Sequence, residues 1–161
     1  MRALTYYIPY KNVYTKSLLE FRRILDTKKG VRLSAMTLSQ LCDDVMEANG
    51  VYFFFDDRKC LQYIGKATSK SFIERIPAHF DPRRDSWFNT VTKKMTNGGV
   101  PYSVALRKSL CLSVMLLGAA DPVVATRLES IFRHSYRPAL NAPKKSYLAD
   151  QSRSLEDLVK S

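Results

Sequence analysis

Two phenols, a guanidinium, an imidazole and a carboxylate stand in this chain at spacings that would let them meet. Tyr52 closes Gly50-Val51-Tyr52 and Tyr63 opens Tyr63-Ile64-Gly65. Each tripeptide belongs to a strand-like run, Val51–Phe55 and Cys60–Ile64, and the polar Asp56-Asp57-Arg58-Lys59 between them reads as a hairpin turn. Antiparallel pairing would bring the phenols to one sheet as neighbours, although strand preference alone also supplies aromatics to such runs. Arg75 could grip a phosphate, because a planar guanidinium donates two aligned hydrogen bonds where lysine cannot; a solvated helix face is its plainer role. His79, one turn on, could orient a water or share a proton, or simply end a helix. Glu129 is either an i, i+4 partner of Arg133 or a carboxylate facing a cleft, where it could anchor a hard divalent cation. Asn141, after Pro138-Ala139-Leu140, is turn chemistry or a brace.

Taken in order, these residues resemble the GIY-YIG endonuclease family. Val51 stands for the first isoleucine, Tyr63-Ile64-Gly65 is intact, and Lys66 follows it directly. Arg75 and His79 fall in the helical segment after the hairpin, Glu129 lies in Leu128-Glu129-Ser130-Ile131-Phe132, and Asn141 follows Pro138 at the expected distance. The resemblance covers residues 49 to 142 and implies a metal-dependent endonuclease hydrolysing DNA phosphodiester bonds. Hydrolysis requires an activated water, charge relief on the phosphoryl oxygens and stabilisation of the leaving oxygen. Mg²⁺, or Mn²⁺ in its place, can serve the last two while keeping most of its waters, so one carboxylate, Glu129, suffices. Arg75 would clamp the scissile phosphate, Tyr63 would position water or phosphate, and Asn141 would brace the tyrosines. Tyr52 would be the general base. A free phenol has a pKa of about 10, so a cation must lower it, with Lys66 and the hydrated metal as the sources. The alternative is a non-catalytic nucleic-acid-binding protein retaining the nuclease fold; a basic protein-interaction module is a third reading.

The elements that must position these groups follow from capping and periodicity. Ser17-Leu18-Leu19-Glu20 is a capping box opening a helix that ends at Lys28-Lys29-Gly30. A second box, Thr37-Leu38-Ser39-Gln40, precedes the stripe Leu38, Leu41, Cys42, Val45, Met46 of an amphipathic helix. Ser69 or Ser71 can cap a helix carrying Phe72, Ile73, Ile76 and Phe80, with a kink or break at Pro77. Asp85 can start another, through Met95 to Asn97-Gly98-Gly99. Tyr102–Leu106 and Leu110–Leu117 read as strands. Asp121-Pro122 opens a helix to about His134 with Val124, Leu128, Ile131 and Phe132 on its buried stripe, and Pro138 stops it. One short helix is expected after Ser154. The class is α+β: a small central mixed or antiparallel sheet flanked by helices, with a helical extension over 1–48, a catalytic domain over 49–142 and a polar tail over 143–161.

Composition bounds the partner. The 161 residues are 45% hydrophobic, enough for one core, and carry a formal net charge of +11. Such an excess points to a polyanion, and the absence of a spanning apolar run favours DNA over a membrane. The dibasic pairs Arg83-Arg84, Lys93-Lys94 and Lys144-Lys145 are candidate DNA contacts, with Arg107-Lys108, Arg22-Arg23 and Lys28-Lys29 behind them. The opening residues lack the apolar stretch of a signal peptide, and Cys42, Cys60 and Cys111 read as reduced core residues, so a cytoplasmic protein is expected. One such site cuts one strand. A double-strand break then needs a homodimer or two visits, with the helices of residues 17 to 48 as candidate interface.

Overall fold

The computed structural model describes residues 4–83, 89–96, 99–141 and 150–161. Five strands form one mixed sheet: β1 (Tyr7–Pro9), β2 (Val31–Arg32), β3 (Gly50–Phe55), β4 (Leu61–Ala67) and β5 (Ser113–Gly118). Its order is β1-β5-β3-β4; β1 runs parallel to β5, and the β3–β4 and β3–β5 pairs are antiparallel. β2 pairs antiparallel with the other end of the same β5 edge. Seven helices surround the sheet among the described residues: α1 (Leu18–Thr27), α2 (Leu38–Leu41), α3 (Phe72–Ala78), α4 (Thr90–Thr96), α5 (Tyr102–Leu110), α6 (Pro122–Tyr136) and α7 (Leu155–Lys160). The class is α+β, as expected.

The hairpin forms as the sequence predicts. Asp56 accepts from the Arg58 and Cys60 amides, Lys59 takes φ 60°, and the ladder shifts register between Phe54 and Phe55. Directly opposed residues share a face, so Tyr52, Phe54 and Tyr63 line one side of the sheet and Val51, Phe53 and Ile64 the other. On the second side Phe53 meets Phe21 of α1 and Phe132 of α6, whose rings stack at 4.9 Å. Asp121 caps α6 by accepting from Val123 N, and the Ser17–Glu20 box caps α1.

Several expectations are corrected. Residues 102–106 are helical. Tyr102, Val104 and Leu106 alternate as a strand would, yet the buried residues are Ala105 and Ser109, one helical turn apart, with Ser109 against Thr92 of α4. The second capping box forms, but its helix stops after Leu41: the Asp43 side chain accepts from Val45 N, offering the backbone a turn instead. Leu38 and Val45 are consequently exposed. Helix α1 ends without a left-handed glycine, its cap Lys28 being extended. All three cysteines are exposed rather than buried, because each sits at a helix end or turn. Asp85, the expected helix start, lies outside the described residues.

The first 48 residues supply more than helices. β1 is a strand of the central sheet, and Ile8, Val13, Leu18, Phe21 and Leu25 join the same core cluster as Phe53 and Phe132. From the tail, Leu155, Leu158 and Val159 join it too, and Ser154 bridges to Ser17.

Candidate active site

β4 is the edge strand, and along it, between α3 and α6, opens a cleft of about 350 Å³. Tyr52, Tyr63, Gly65, Lys66, Lys70, Arg75 and Glu129 all line it. Five predicted residues from four separate elements therefore share one cavity. Their meeting depends on Gly65: Tyr52 lies opposite it across the ladder, and a Cβ there would overlap the phenol's Cζ and Oη. Without a side chain at 65 the Tyr52 ring can lie across β4 towards the edge.

Helix α3 survives Pro77, whose missing amide costs one bond near the helix end; Ser71 and Glu74 box its start. His79 is its C-cap and is wholly buried, with ring contacts to Tyr52, Phe54, Tyr63 and Phe80. Its Nε2 lies 2.6 Å from the Tyr52 hydroxyl, and Nδ1 has no partner among the described residues. His79 therefore reaches the cleft only through Tyr52, and cannot orient a water there itself. Burial, reinforced by Arg75 and Lys94, holds the imidazole well below its usual pKa and keeps it neutral.

The protein groups push Tyr52 the opposite way from the sequence expectation. Burial raises the phenol's pKa, Tyr63 and Glu129 add to the rise, and only Arg75 opposes it. Arg75, not the expected Lys66, is the cation that lowers it, and Lys66 Nζ lies 3.3 Å from Thr126 Oγ1 on α6. Tyr63 is likewise raised by burial, and Lys94 Nζ sits over its ring at 5.7 Å.

Glu129 both pairs with Arg133 and faces the cleft. It is 8% exposed on the buried stripe of α6 and lines the cleft, while its Oε1 accepts from Arg133 Nη1 at 3.0 Å. Oε2 accepts from no described residue. No group of three or more His, Cys, Asp or Glu that could hold a metal ion occurs among the described residues. A divalent cation here would have one protein oxygen and would keep water in its other positions, a donor set that suits Mg²⁺.

Asn141 is a brace. Its Oδ1 accepts from Ile64 N at 2.8 Å and its Nδ2 donates to Ile64 O at 3.0 Å. Together with Leu140 N donating to Gln62 O, it satisfies the open edge of β4 beside both tyrosines.

The basic pairs are less uniform than their sequence suggests. Arg83 is exposed and ion-paired with Asp81 at 2.7 Å. Lys94 packs on Tyr63, Lys93 is half-buried, and Arg22 lies over the Phe55 and Tyr136 rings. Arg84, Lys144 and Lys145 lie outside the described residues. Lys70, at the cleft, and Arg133, beside Glu129, were missed as site residues. The i, i+4 spacing flagged Arg133; nothing local flagged Lys70. Comparison with known proteins finds no matching family model, no matching curated protein and no matching solved structure. Among the described residues, no helix is long and apolar enough to cross a membrane.

Proposed function

We propose that this chain is a GIY-YIG-like, metal-dependent endonuclease that hydrolyses DNA phosphodiester bonds in the β4 cleft. The observation that carries the reading is the convergence of Tyr52, Tyr63, Lys66, Arg75 and Glu129 on one cavity from four elements. Glu129 Oε2 would hold Mg²⁺ or Mn²⁺, which when bound supplies charge relief at the phosphate and leaving oxygen. Arg75, on the α3 wall, clamps the scissile phosphate through its paired donors. Tyr52 takes the proton of the attacking water while its own hydroxyl proton passes to His79 Nε2, 2.6 Å away, in the neutral tautomer that carries its proton on Nδ1. A relay of this kind replaces the free phenolate of the sequence reading, because a buried phenol with a raised pKa is protonated at working pH. Lys66 and Lys70 add positive charge at the mouth, where a polyanion approaches.

Nicking of supercoiled plasmid with and without Mg²⁺ or Mn²⁺ tests this. Glu129→Ala is expected to abolish cleavage while DNA affinity stays within a few fold, since phosphate binding is spread over many cations. Near wild-type nicking by that variant would remove the metal site. DNA binding without metal-dependent nicking by the wild type would leave a nucleic-acid-binding protein.

A further inference from the structure

A second cleft, of about 520 Å³, opens at the same end of the sheet. The registers define one row across the strands, Pro9–Gly118–Gly50–Ala67. The catalytic cleft starts at the β4 end of this row and the second cleft at the β1–β5 end. Asn49 ties the two walls together: its Nδ2 donates to Thr68 O and Lys70 O, and its carbonyl accepts from Ala119 N. Three strand spacings separate the ends of the row, about 14 Å, or about four base steps at 3.4 Å each.

The lining is mixed in the way a nucleobase requires. Half-buried Tyr10 supplies aromatic surface, the buried Tyr7 lines the floor, and Val45 is an exposed apolar wall. The Tyr7 hydroxyl accepts from Glu47 N at 2.8 Å, and its own proton meets no acceptor among the described residues. The Glu47 carboxylate can accept, and Lys11 is an exposed cation at the rim. Exposed Tyr14 packs against the lining residue Tyr10 at 6.3 Å, adding a second ring beside the cleft.

We propose that the second cleft binds one unpaired nucleobase of the strand being cut, within about four nucleotides of the scissile bond. The inference rests on the nuclease reading for its substrate, and on the second cleft's own chemistry for the site. A paired base has its hydrogen-bonding edge occupied and cannot enter such a recess, so the base must lie outside a stack. The enzyme would accordingly prefer DNA with single-stranded character on one side of the cut. The shared chemistry is a base with donors and acceptors on its edge, whether in a strand or as a free nucleotide.

The test uses the full chain carrying Glu129→Ala and a hairpin duplex with a single-stranded extension. 2-Aminopurine is placed at successive positions of the extension. Quenching is expected to peak at one position within about four nucleotides of the junction. Ala120→Phe, at an exposed lining residue, is expected to abolish that peak and to weaken binding of the extended substrate about tenfold or more, the scale of losing one stacked base. Blunt-duplex affinity should hardly change. Lys11→Glu should weaken the same substrate selectively. Quenching that both variants leave intact overturns the proposal. So does displacement of the probe by deoxynucleoside monophosphates with no positional peak in the strand, which would make this a free-nucleotide site. If the unmodified chain never nicks plasmid while the peak persists and responds to Ala120→Phe, the nuclease reading fails and the subsite stands.

Discussion

At Tyr52 and His79, local sequence and long-range packing contribute different things. The tyrosine and its place on the hairpin were readable from the tripeptides, because strand alternation fixes which side chains share a face. Its protonation was not. The rings packed against it are Phe54, Tyr63 and His79, and no window of sequence reports their enclosure. Tyr52→Phe keeps the ring over Gly65 and removes only the hydroxyl. It is expected to cost at least ~10²-fold in cleavage rate, the scale of a lost general base. In the metal-free protein, ultraviolet difference titration against that variant should show no Tyr52 phenolate at or below its ordinary range of about pH 10. A phenolate appearing near pH 8 would restore the free-base mechanism. His79 also leaves a thermodynamic signature. Its folded pKa lies well below the ordinary histidine value of about 6.5, so as pH falls through that value the unfolded chain takes up a proton that the native one refuses. Stability is complete above that pH and declines below it, by up to about 1.4 kcal/mol per pH unit. Melting temperature measured from pH 7 to 5 should fall less steeply in His79→Gln, and identical slopes would mean that the imidazole is not buried neutral.

Among the elements, those with explicit start signals were the legible ones. The Ser17 capping box and the Asp121-Pro122 start form, and of the two caps open for α3, Ser69 and Ser71, it is Ser71 that caps, because each cap satisfies amides that the helix leaves unpaired. Failures fell where two periods compete. In residues 102–110 the alternation of Tyr102, Val104 and Leu106 fits a strand, but Ala105 and Ser109 are the residues that pack, against α4. β1 and β2 are three and two residues long, too short for any period to register. The β4 edge is the element on which the site depends, and Gly65 is its least replaceable residue. Gly65→Ala forces a methyl into the Tyr52 ring end. Overpacking of that kind costs about 1–3 kcal/mol, which a single-core domain can survive. Cleavage is therefore expected to drop at least as far as in Tyr52→Phe while circular dichroism still reports a folded protein. Full activity in Gly65→Ala would mean that the Tyr52 hydroxyl need not sit over β4.

Over the whole molecule, the sequence suggested a catalytic domain behind a helical extension, a division drawn from where the motif residues begin. Residues on both sides of that line share one core cluster. Parallel to β5, β1 closes one side of the sheet, and Tyr7 and Ile8 are buried in it. Phe21 of α1 stacks on Phe132 of the helix that carries Glu129, and the Tyr136 hydroxyl donates to Leu18 O at 2.6 Å. Removing residues 1 to 36 would delete β1, β2 and α1 together. It would expose one face of Phe53 and Phe132 and bare the β5 edge, a template for intermolecular pairing. Losing even two fully buried aromatic or aliphatic side chains costs about 4–10 kcal/mol, comparable to the whole stability of an ordinary domain of about 5–15 kcal/mol. The truncated chain is accordingly expected to aggregate or to lose its cooperative thermal transition, with single-strand nicking and double-strand cutting lost together. A soluble, cooperatively melting truncation that still nicks plasmid but no longer makes double-strand breaks would show the opposite: that the first 36 residues are a separable dimer interface and that the site folds without them.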